Sequence, residues 1–175
     1  MKRIIWGMFL MFFVAGFLVQ AVQAENLTPQ LCKEKVIAAA KLLNEQGDAA
    51  LAVLKDPGGE FRFADGKGYI WVHNLDGIML MHPIKEALDG TNVLESKDPN
   101  GFYLFVAMNE LAEEKGSGWV PYMWPKPGDS EASPKVSYVY LVEKDGKAYV
   151  AGAGMYDVTA EQIKAMFPDD PIYED

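Results

Sequence analysis

The sequence predicts an α+β domain in which a long N-terminal helix covers a five-stranded sheet. Three observations support this fold class. Apolar residues recur at helical spacing in the N-terminal third, five runs rich in β-branched and aromatic residues follow, and glycine-containing turns connect two pairs of these runs. After a leader of 24 residues the remaining 151 have the size of one ordinary domain, so we expect a single domain over residues 25–175.

The leader, residues 1–24, has the pattern of a secretory signal peptide. Lys2 and Arg3 precede an apolar run, and Val22-Gln23-Ala24 places small residues where a signal peptidase cleaves. We expect cleavage after Ala24 and a periplasmic or secreted protein. The alternative is an uncleaved helix that anchors the protein in the membrane, because the apolar run approaches the ~20 residues that span a bilayer.

The first element after the leader is a long helix that begins at Thr28-Pro29. These residues combine an N-cap with a proline at the first helical position. Gly47-Asp48 is expected to interrupt the helix, and a short second helix ends at Asp56-Pro57-Gly58-Gly59. Cys32 is the only cysteine, so no disulfide can form within the chain, and we interpret it as a small buried apolar side chain of the helix.

Two β-rich runs, residues 69–73 and 78–82, flank the turn Asn74-Leu75-Asp76-Gly77 and predict a hairpin. With a loop of four residues, the opposite residues pair as Tyr69 with His82, Trp71 with Leu80, and His73 with Ile78. These six side chains share one face, and the other face takes Ile70, Val72, Met79 and Met81. Both faces are apolar or aromatic, so we expect the sheet to be covered on both sides.

The rest of the chain predicts a helix, three strands and a closing helix. The helix follows Asn100 as its cap and stops at Gly116; Asn109 near its apolar stripe indicates that it is less deeply buried. The strands are expected over residues 119–124, 136–143 and 148–155, with a turn at residues 144–147 between the last two, and the closing helix over residues 159–167.

Charge makes nucleic acid an unlikely class of partner. Without Lys2 and Arg3 the chain has 14 basic and 25 acidic residues, a net charge of −11. Phosphate binding needs a basic patch and the release of counterions, so we expect no nucleic-acid partner and no binding to an anionic membrane surface.

Seven motifs in order resemble the single Cache domain family. They are Gly68-Tyr69-Ile70-Trp71-Val72, Met81-His82-Pro83, Leu88-Asp89-Gly90-Thr91-Asn92, Asp98-Pro99-Asn100-Gly101, Gly118-Trp119-Val120-Pro121-Tyr122-Met123-Trp124-Pro125, Lys135-Val136-Ser137-Tyr138-Val139 and Gly152-Ala153-Gly154-Met155-Tyr156. The match covers nearly all of residues 25–175. Each motif alone is weak, but seven in the right order at compatible spacings are specific.

The resemblance implies an extracytoplasmic sensor module. Its fold would be a long N-terminal helix on a central five-stranded antiparallel sheet like that of PAS domains, with a pocket on one sheet face that commonly takes a small organic acid. Most members are flanked by two membrane helices and followed by a signalling domain. This chain stops soon after Tyr156, so we expect it to act without its own output domain and to have a membrane receptor or kinase as partner.

Six side chains are the candidate ligand-binding residues: Tyr69, Trp71, His82, Tyr122, Trp124 and Lys135. The hairpin brings the first three to one face, and the next two alternate on one face of their strand. Aromatic walls exclude water while polar tips orient a small ligand. The alternative is that the rings are sheet core.

A cation in this pocket would neutralise the carboxylate of an acid through a charge-assisted hydrogen bond. Lys135 is chosen because its Lys-x-Ser-Tyr segment matches the family; Arg62 and Lys126 are further candidates. A lysine at the start of a strand is usually solvated, which is the alternative for Lys135.

We expect no catalytic, metal or cofactor site. The chain lacks Gly-x-Ser-x-Gly, His-Glu-x-x-His and phosphate-binding glycine motifs, and two histidines offer few general bases. Met79-Leu80-Met81-His82 suggests periplasmic copper binding, but on a regular strand Met79 and Met81 share one face and His82 points to the other. A further alternative is an interaction protein without a ligand, which docks on a membrane receptor or forms homodimers through the N-terminal helix.

Overall fold

A five-stranded antiparallel sheet with helical cover on both faces forms the centre of the structure. The computed structural model describes residues 26–174, so the signal peptide predicted for residues 1–24 lies outside the described residues. The helices are α1 (Pro29–Gln46), α2 (Ala50–Lys55), α3 (Leu104–Lys115) and α4 (Ala160–Met166). The strands are β1 (Arg62–Phe63), β2 (Gly68–Tyr69), β3 (Trp71–His73), β4 (Met79–Met81), β5 (Ser117–Pro125), β6 (Ala132–Lys144) and β7 (Lys147–Tyr156).

The order of strands in the sheet is β4-β3-β7-β6-β5, and every neighbouring pair is antiparallel. Strands β1 and β2 form a separate two-stranded sheet. The C-terminal strand β7 therefore lies between β3 and β6 and joins the N-terminal hairpin to the rest of the sheet. The predicted fold class, an N-terminal helix on a five-stranded antiparallel sheet, is confirmed.

Local signals at the helix ends agree with the prediction at every end except the start of α3. Thr28 Oγ1 accepts the backbone N–H of Leu31 at 3.1 Å and caps α1, and a 3-10 turn at Gly47–Ala49 separates α1 from α2. Thr159 caps α4 in a capping box with Gln162. Gly116 ends α3 with a φ of 79°, a left-handed conformation that favours glycine.

The predicted cap of α3 is wrong, because the helix begins at Leu104 with Tyr103 as its cap. The carboxylate of Asp98 accepts the backbone N–H groups of Asn100 and Phe102 at 2.8 and 3.1 Å. These bonds hold residues 98–102 in a turn, so the helix can start only after it.

The hairpin of β3 and β4 forms, but its predicted register is wrong. Val72 pairs with Met81 and His73 with Met79, and the register shifts between the two pairs. The pairing of Trp71 with Leu80 is not observed. A β-bulge of this kind adds an unpaired residue on one strand, which a regular two-residue period cannot anticipate.

The sheet has a hydrophobic core on each face. The first cluster lies under α1 and α2 and includes Cys32, Val36, Leu43, Ile70, Val72, Met81, Val136, Tyr138 and Ala151. The second cluster lies under α3 and includes Tyr69, Trp71, Met79, Phe105, Met108, Tyr122, Val139 and Val150. As predicted, Cys32 is buried, and burial raises the pKa of its thiol to about 12.

Helix α3 is more deeply buried than Asn109 indicated. Asn109 lies inside the protein, where its Oδ1 is 3.0 Å from His73 Nε2 and its Nδ2 donates to the carbonyl oxygen of Leu75 at 3.0 Å. The amide is thus satisfied by β3 and the hairpin turn, and a buried polar group that is satisfied in this way costs little. Within residues 26–174, no helix has the length and hydrophobicity needed to cross a membrane.

Candidate ligand-binding site

Lys135 lies inside the protein on the sheet face of the second cluster. Its strand, β6, pairs it with Tyr122 of β5 and with Tyr156 of β7. Only 2% of the residue is exposed. The expectation that a lysine at a strand start is solvated is therefore wrong here.

Four aromatic rings surround the ammonium group of Lys135. Its Nζ lies 5.0 to 5.9 Å from the ring centroids of Tyr69, Trp71, Tyr122 and Tyr156. It donates a hydrogen bond to Tyr69 Oη at 3.3 Å. The rings attract the cation through their negative faces but do not neutralise it.

No carboxylate among residues 26–174 pairs with Lys135. Burial lowers the pKa of its ammonium group to about 7, and the positive charge of Lys85 also lowers it. A buried cation is costly unless an anion accompanies it. The structure thus holds a buried lysine whose charged form lacks a counter-ion.

Trp71 supplies a buried donor without a partner. Its indole Nε1 is buried and has no hydrogen-bond partner among the described residues. Buried donors are nearly always paired, so an exception points to strain or to a missing group. The ring of Trp71 is one of the four around Lys135 Nζ, so the unpaired indole N–H belongs to the same cluster as the lysine without a counter-ion.

His82 lies beside the same group of aromatic rings, and its imidazole is neutral. Its Nδ1 accepts the backbone N–H groups of Ile84 and Lys85 at 3.2 and 3.0 Å, so the ring proton lies on Nε2. Burial, together with the positive charges of Lys135 and Lys85, lowers its pKa to about 4. The ring lies 5.4 Å from that of Tyr69, so these two residues are neighbours as predicted.

Tyr122 and Trp124 form the wall of the site on the side of β5. The hydroxyl of Tyr122 is 2.9 Å from Ser137 Oγ. Trp124 packs edge-on against Phe105 of α3 and against Tyr122, with ring centroids 6.4 and 6.3 Å apart. A groove of about 430 Å³ beside β5 is lined in part by Tyr122 and Lys135, but not by Tyr69, Trp71, His82 or Trp124.

Two glycines of β7 make room for the side chains of Trp71 and Lys135. A Cβ atom at Gly152 would lie 2.4 Å from Trp71 Cζ2, and one at Gly154 would lie 2.7 Å from Lys135 Cε and 2.0 Å from Ser137 Oγ. The side chains of Trp71 and Lys135 can therefore cross β7 only because glycine, which has no Cβ atom, lies beneath each of them.

We expect Gly154→Ala to lower the free energy of unfolding by about 1–3 kcal/mol, because overpacking displaces Lys135 and Ser137. Urea unfolding measures this change. Gly58→Ala is the control, since the nearest atom to its Cβ is Asp56 Oδ1 at 3.6 Å, an ordinary contact. Equal stability of the two variants would contradict the role of Gly154.

The other predicted cations border this arrangement, whereas the predicted metal ligands do not converge. Lys126 forms an exposed ion pair with Asp157 at 2.7 Å and lies 5.9 Å from the Tyr156 ring centroid, and the Arg62 guanidinium lies 5.8 Å from the Tyr69 ring centroid. Met79 packs in the second cluster and Met81 in the first, so their predicted common face is wrong. The two thioethers thus do not converge with His82 on one ion.

Tyr156 and Lys85 also lie near the site, although they are not among the residues predicted from the sequence. Strand alternation could have found Tyr156, because it lies two residues after Gly154 and therefore on the same face. Lys85 lies in an irregular segment after β4, and no periodic signal places its side chain.

Comparison with known proteins relates the chain to sensor domains. A family model described as a Cache domain matches residues 38–167. The methyl-accepting chemotaxis protein McpP of Pseudomonas putida is 40% identical over 99 residues, which are 55% of this chain and 18% of that protein. The sensor histidine kinase MctS of Rhizobium johnstonii is 33% identical over 100 residues, 56% of this chain and 21% of that protein. The chain thus matches about a fifth of the length of each of these relatives.

Two solved structures share the fold at more than 30% identity. A periplasmic sensor domain of a chemotaxis protein is 34% identical with a TM-score of 0.63, over 72% of this chain and 92% of that one. A Cache chemosensory domain, described for its recognition of carboxylic acids, is 32% identical with a TM-score of 0.63, over 74% of this chain and 92% of that one. With the family model matching most of its residues, the chain belongs to the Cache domain family of extracytoplasmic sensor domains.

Proposed function

We propose that this protein binds a small organic acid in its anionic form and reports the bound state to a membrane receptor or kinase. The observation that carries the proposal is the buried ammonium group of Lys135, which has no carboxylate partner among the described residues and lies 5.2 Å from the ring centroid of Trp71, whose Nε1 is unpaired. A carboxylate has two oxygens, which accept hydrogen bonds from both donors and neutralise the lysine.

The aromatic side chains fit the rest of such a ligand. Tyr69, Trp71, Tyr122 and Trp124 offer ring surface to a short apolar chain, while His82 presents an N–H donor at neutral pH. A chemosensory relative of known structure recognises carboxylic acids, which supports the same ligand class here. The relatives McpP and MctS are a chemotaxis receptor and a kinase, which supports a partner of that kind.

A melting-temperature screen tests the proposal. We expect at least one of acetate, propionate, lactate, pyruvate and the amino acids to raise the melting temperature of the protein in a saturable way. At a ligand concentration of about 100 times Kd the stabilisation is about 2.7 kcal/mol. Acetamide and propionamide are matched controls, because they keep the shape of the acid and lack its charge.

The controls and a site variant make the screen decisive. The amides are expected to have no effect, and Trp124→Ala to reduce the increase seen with the acid, provided that the ligand-free variant still melts cooperatively. If no acid raises the melting temperature, or if the amides act as well as the acids, the proposed anion site is wrong.

A further inference from the structure

A second cation, Lys85, lies at the wall that Trp124 forms. Lys85 belongs to the segment between β4 and a 3-10 turn at Glu86–Leu88. Its Nζ lies 4.2 Å from the centroid of the Trp124 ring, a distance at which a cation interacts with the face of an indole. Trp124 in turn contacts Tyr122, so the ammonium group of Lys85 caps one side of the candidate site.

The acidic residues next to Lys85 do not neutralise it. Glu86 and Asp89 pair instead with Lys55 of α2, at 3.6 and 3.0 Å. Among residues 26–174, no carboxylate forms an ion pair with Lys85. The acidic side chains that follow Lys85 therefore pair with α2, whereas Lys85 itself lies at the candidate site.

The backbone of the segment is held by a residue of the site itself. His82 Nδ1 accepts the N–H groups of Ile84 and Lys85, and the N–H of His82 donates to Asp89 Oδ1 at 2.7 Å. The start of the Lys85 side chain is thus set by the position of His82. Without these hydrogen bonds the backbone at Lys85, and with it the orientation of the lysine side chain, would not be fixed.

The charges of Lys85 and Lys135 act on each other and on His82. The positive charge of Lys85 lowers the pKa of both Lys135 and His82, after the larger effect of burial. The two cations lie within reach of one neutral imidazole and repel each other. The carboxylate of Asp89, whose charge raises the pKa of His82, pairs with Lys55 and with neither of these two lysines. An anion bound at Lys135 relieves this repulsion and is attracted by both.

We propose that Lys85 is a second ligand-binding residue of the acid site, which contributes its positive charge to the bound anion from the side of Trp124. This inference rests on the proposed function. Lys85 would thus act together with Lys135 and Trp71 of the sheet, although it lies on an irregular segment. Acid binding would then depend on the hydrogen bonds that hold this segment to His82.

The test compares three variants with the unchanged protein by calorimetric titration, using the acid that raises the melting temperature most. Lys85→Met removes the charge and keeps the length of the side chain, and we expect it to weaken binding about tenfold. Lys85→Arg keeps the charge and should bind within about threefold of the unchanged protein. Melting temperatures without ligand show that each variant folds.

Lys97→Met is the matched control. Lys97 Nζ lies 4.3 Å from the ring centroid of Tyr103, so this variant loses the same charge and the same kind of ring contact outside the candidate site. We expect its affinity to change less than twofold, and the salt dependence of binding to weaken only in Lys85→Met.

Two outcomes separate this inference from the proposed function. If the unchanged protein binds an acid and Lys85→Met binds it equally well, the role of Lys85 is wrong and the acid site stands. If the unchanged protein binds no acid at all, the proposed function is wrong and the role of Lys85 falls with it.

Discussion

Lys135→Met is expected to abolish acid binding and, at the same time, to stabilise the protein without ligand. Methionine has a similar length and suits a cage of aromatic rings. The pKa of the lysine is 10.5 in its ordinary state and about 7 in the fold, a difference that corresponds to a cost of roughly 5 kcal/mol below pH 7. Because apolar replacement of buried charges often stabilises by 1–4 kcal/mol, we expect a gain of about 2 kcal/mol in the free energy of unfolding at pH 6.

The expected loss of affinity is at least about 100-fold, since the carboxylate would lose its charged partner in a buried site. Urea unfolding and calorimetric titration measure the two effects on the same sample. Lys164→Met is the control, because Lys164 pairs with Glu174 at the surface, where an ion pair contributes about 1 kcal/mol or less. A variant Lys135→Met that binds the acid as before would refute the assignment of the site.

Acid affinity is expected to be constant below about pH 7 and to fall about tenfold for each pH unit above it. The cause is the low pKa of Lys135, about 7, since the carboxylate of a short acid is ionised throughout this range. The bound anion favours the protonated lysine, so above pH 7 the complex holds more protons than the free protein. Association must therefore weaken as the pH rises, by about 50-fold between pH 7 and pH 9.

Calorimetry in buffers of different ionisation enthalpy measures this proton uptake directly, and we expect it to approach one proton per acid at pH 8.5. His82 does not contribute, because its pKa of about 4 keeps it neutral over the whole range. The ligand-free protein should become more stable over the same interval, since the unfolded lysine binds a proton up to about pH 10.5 and the folded one does not. Affinity that stays flat from pH 6 to pH 9 would contradict a buried lysine as the anion ligand.

Much of the architecture could be predicted because its signals are local. Thr28-Pro29 marks the start of α1, and the turn before β7 has positive φ values of 51° at Asp145 and 76° at Gly146, as a two-residue hairpin turn requires. Such signals involve residues within a few positions of each other. The order of the strands could not be predicted in this way, because the pairing of β3 with β7 joins residues about 80 positions apart.

The burial of Lys135 depends on those distant pairings. Its side chain lies over Gly154 of β7 and reaches Tyr69 of β2, so three separate segments must assemble before the ammonium group leaves water. The sequence around Lys135 alone predicts a solvated lysine, and only the family resemblance indicated otherwise. The hairpin register failed for a related reason, since the bulge at Val72 and His73 lies where β3 pairs with both β4 and β7.

The most direct measurement is a crystal structure of the protein with the acid that raises its melting temperature most. We expect one carboxylate oxygen within about 2.7–3.2 Å of Lys135 Nζ and the other at a similar distance from Trp71 Nε1. One ligand would then supply both the counter-ion that Lys135 lacks and the acceptor that Trp71 Nε1 lacks within residues 26–174. An acid that binds elsewhere, with Trp71 Nε1 still unpaired, would contradict the account.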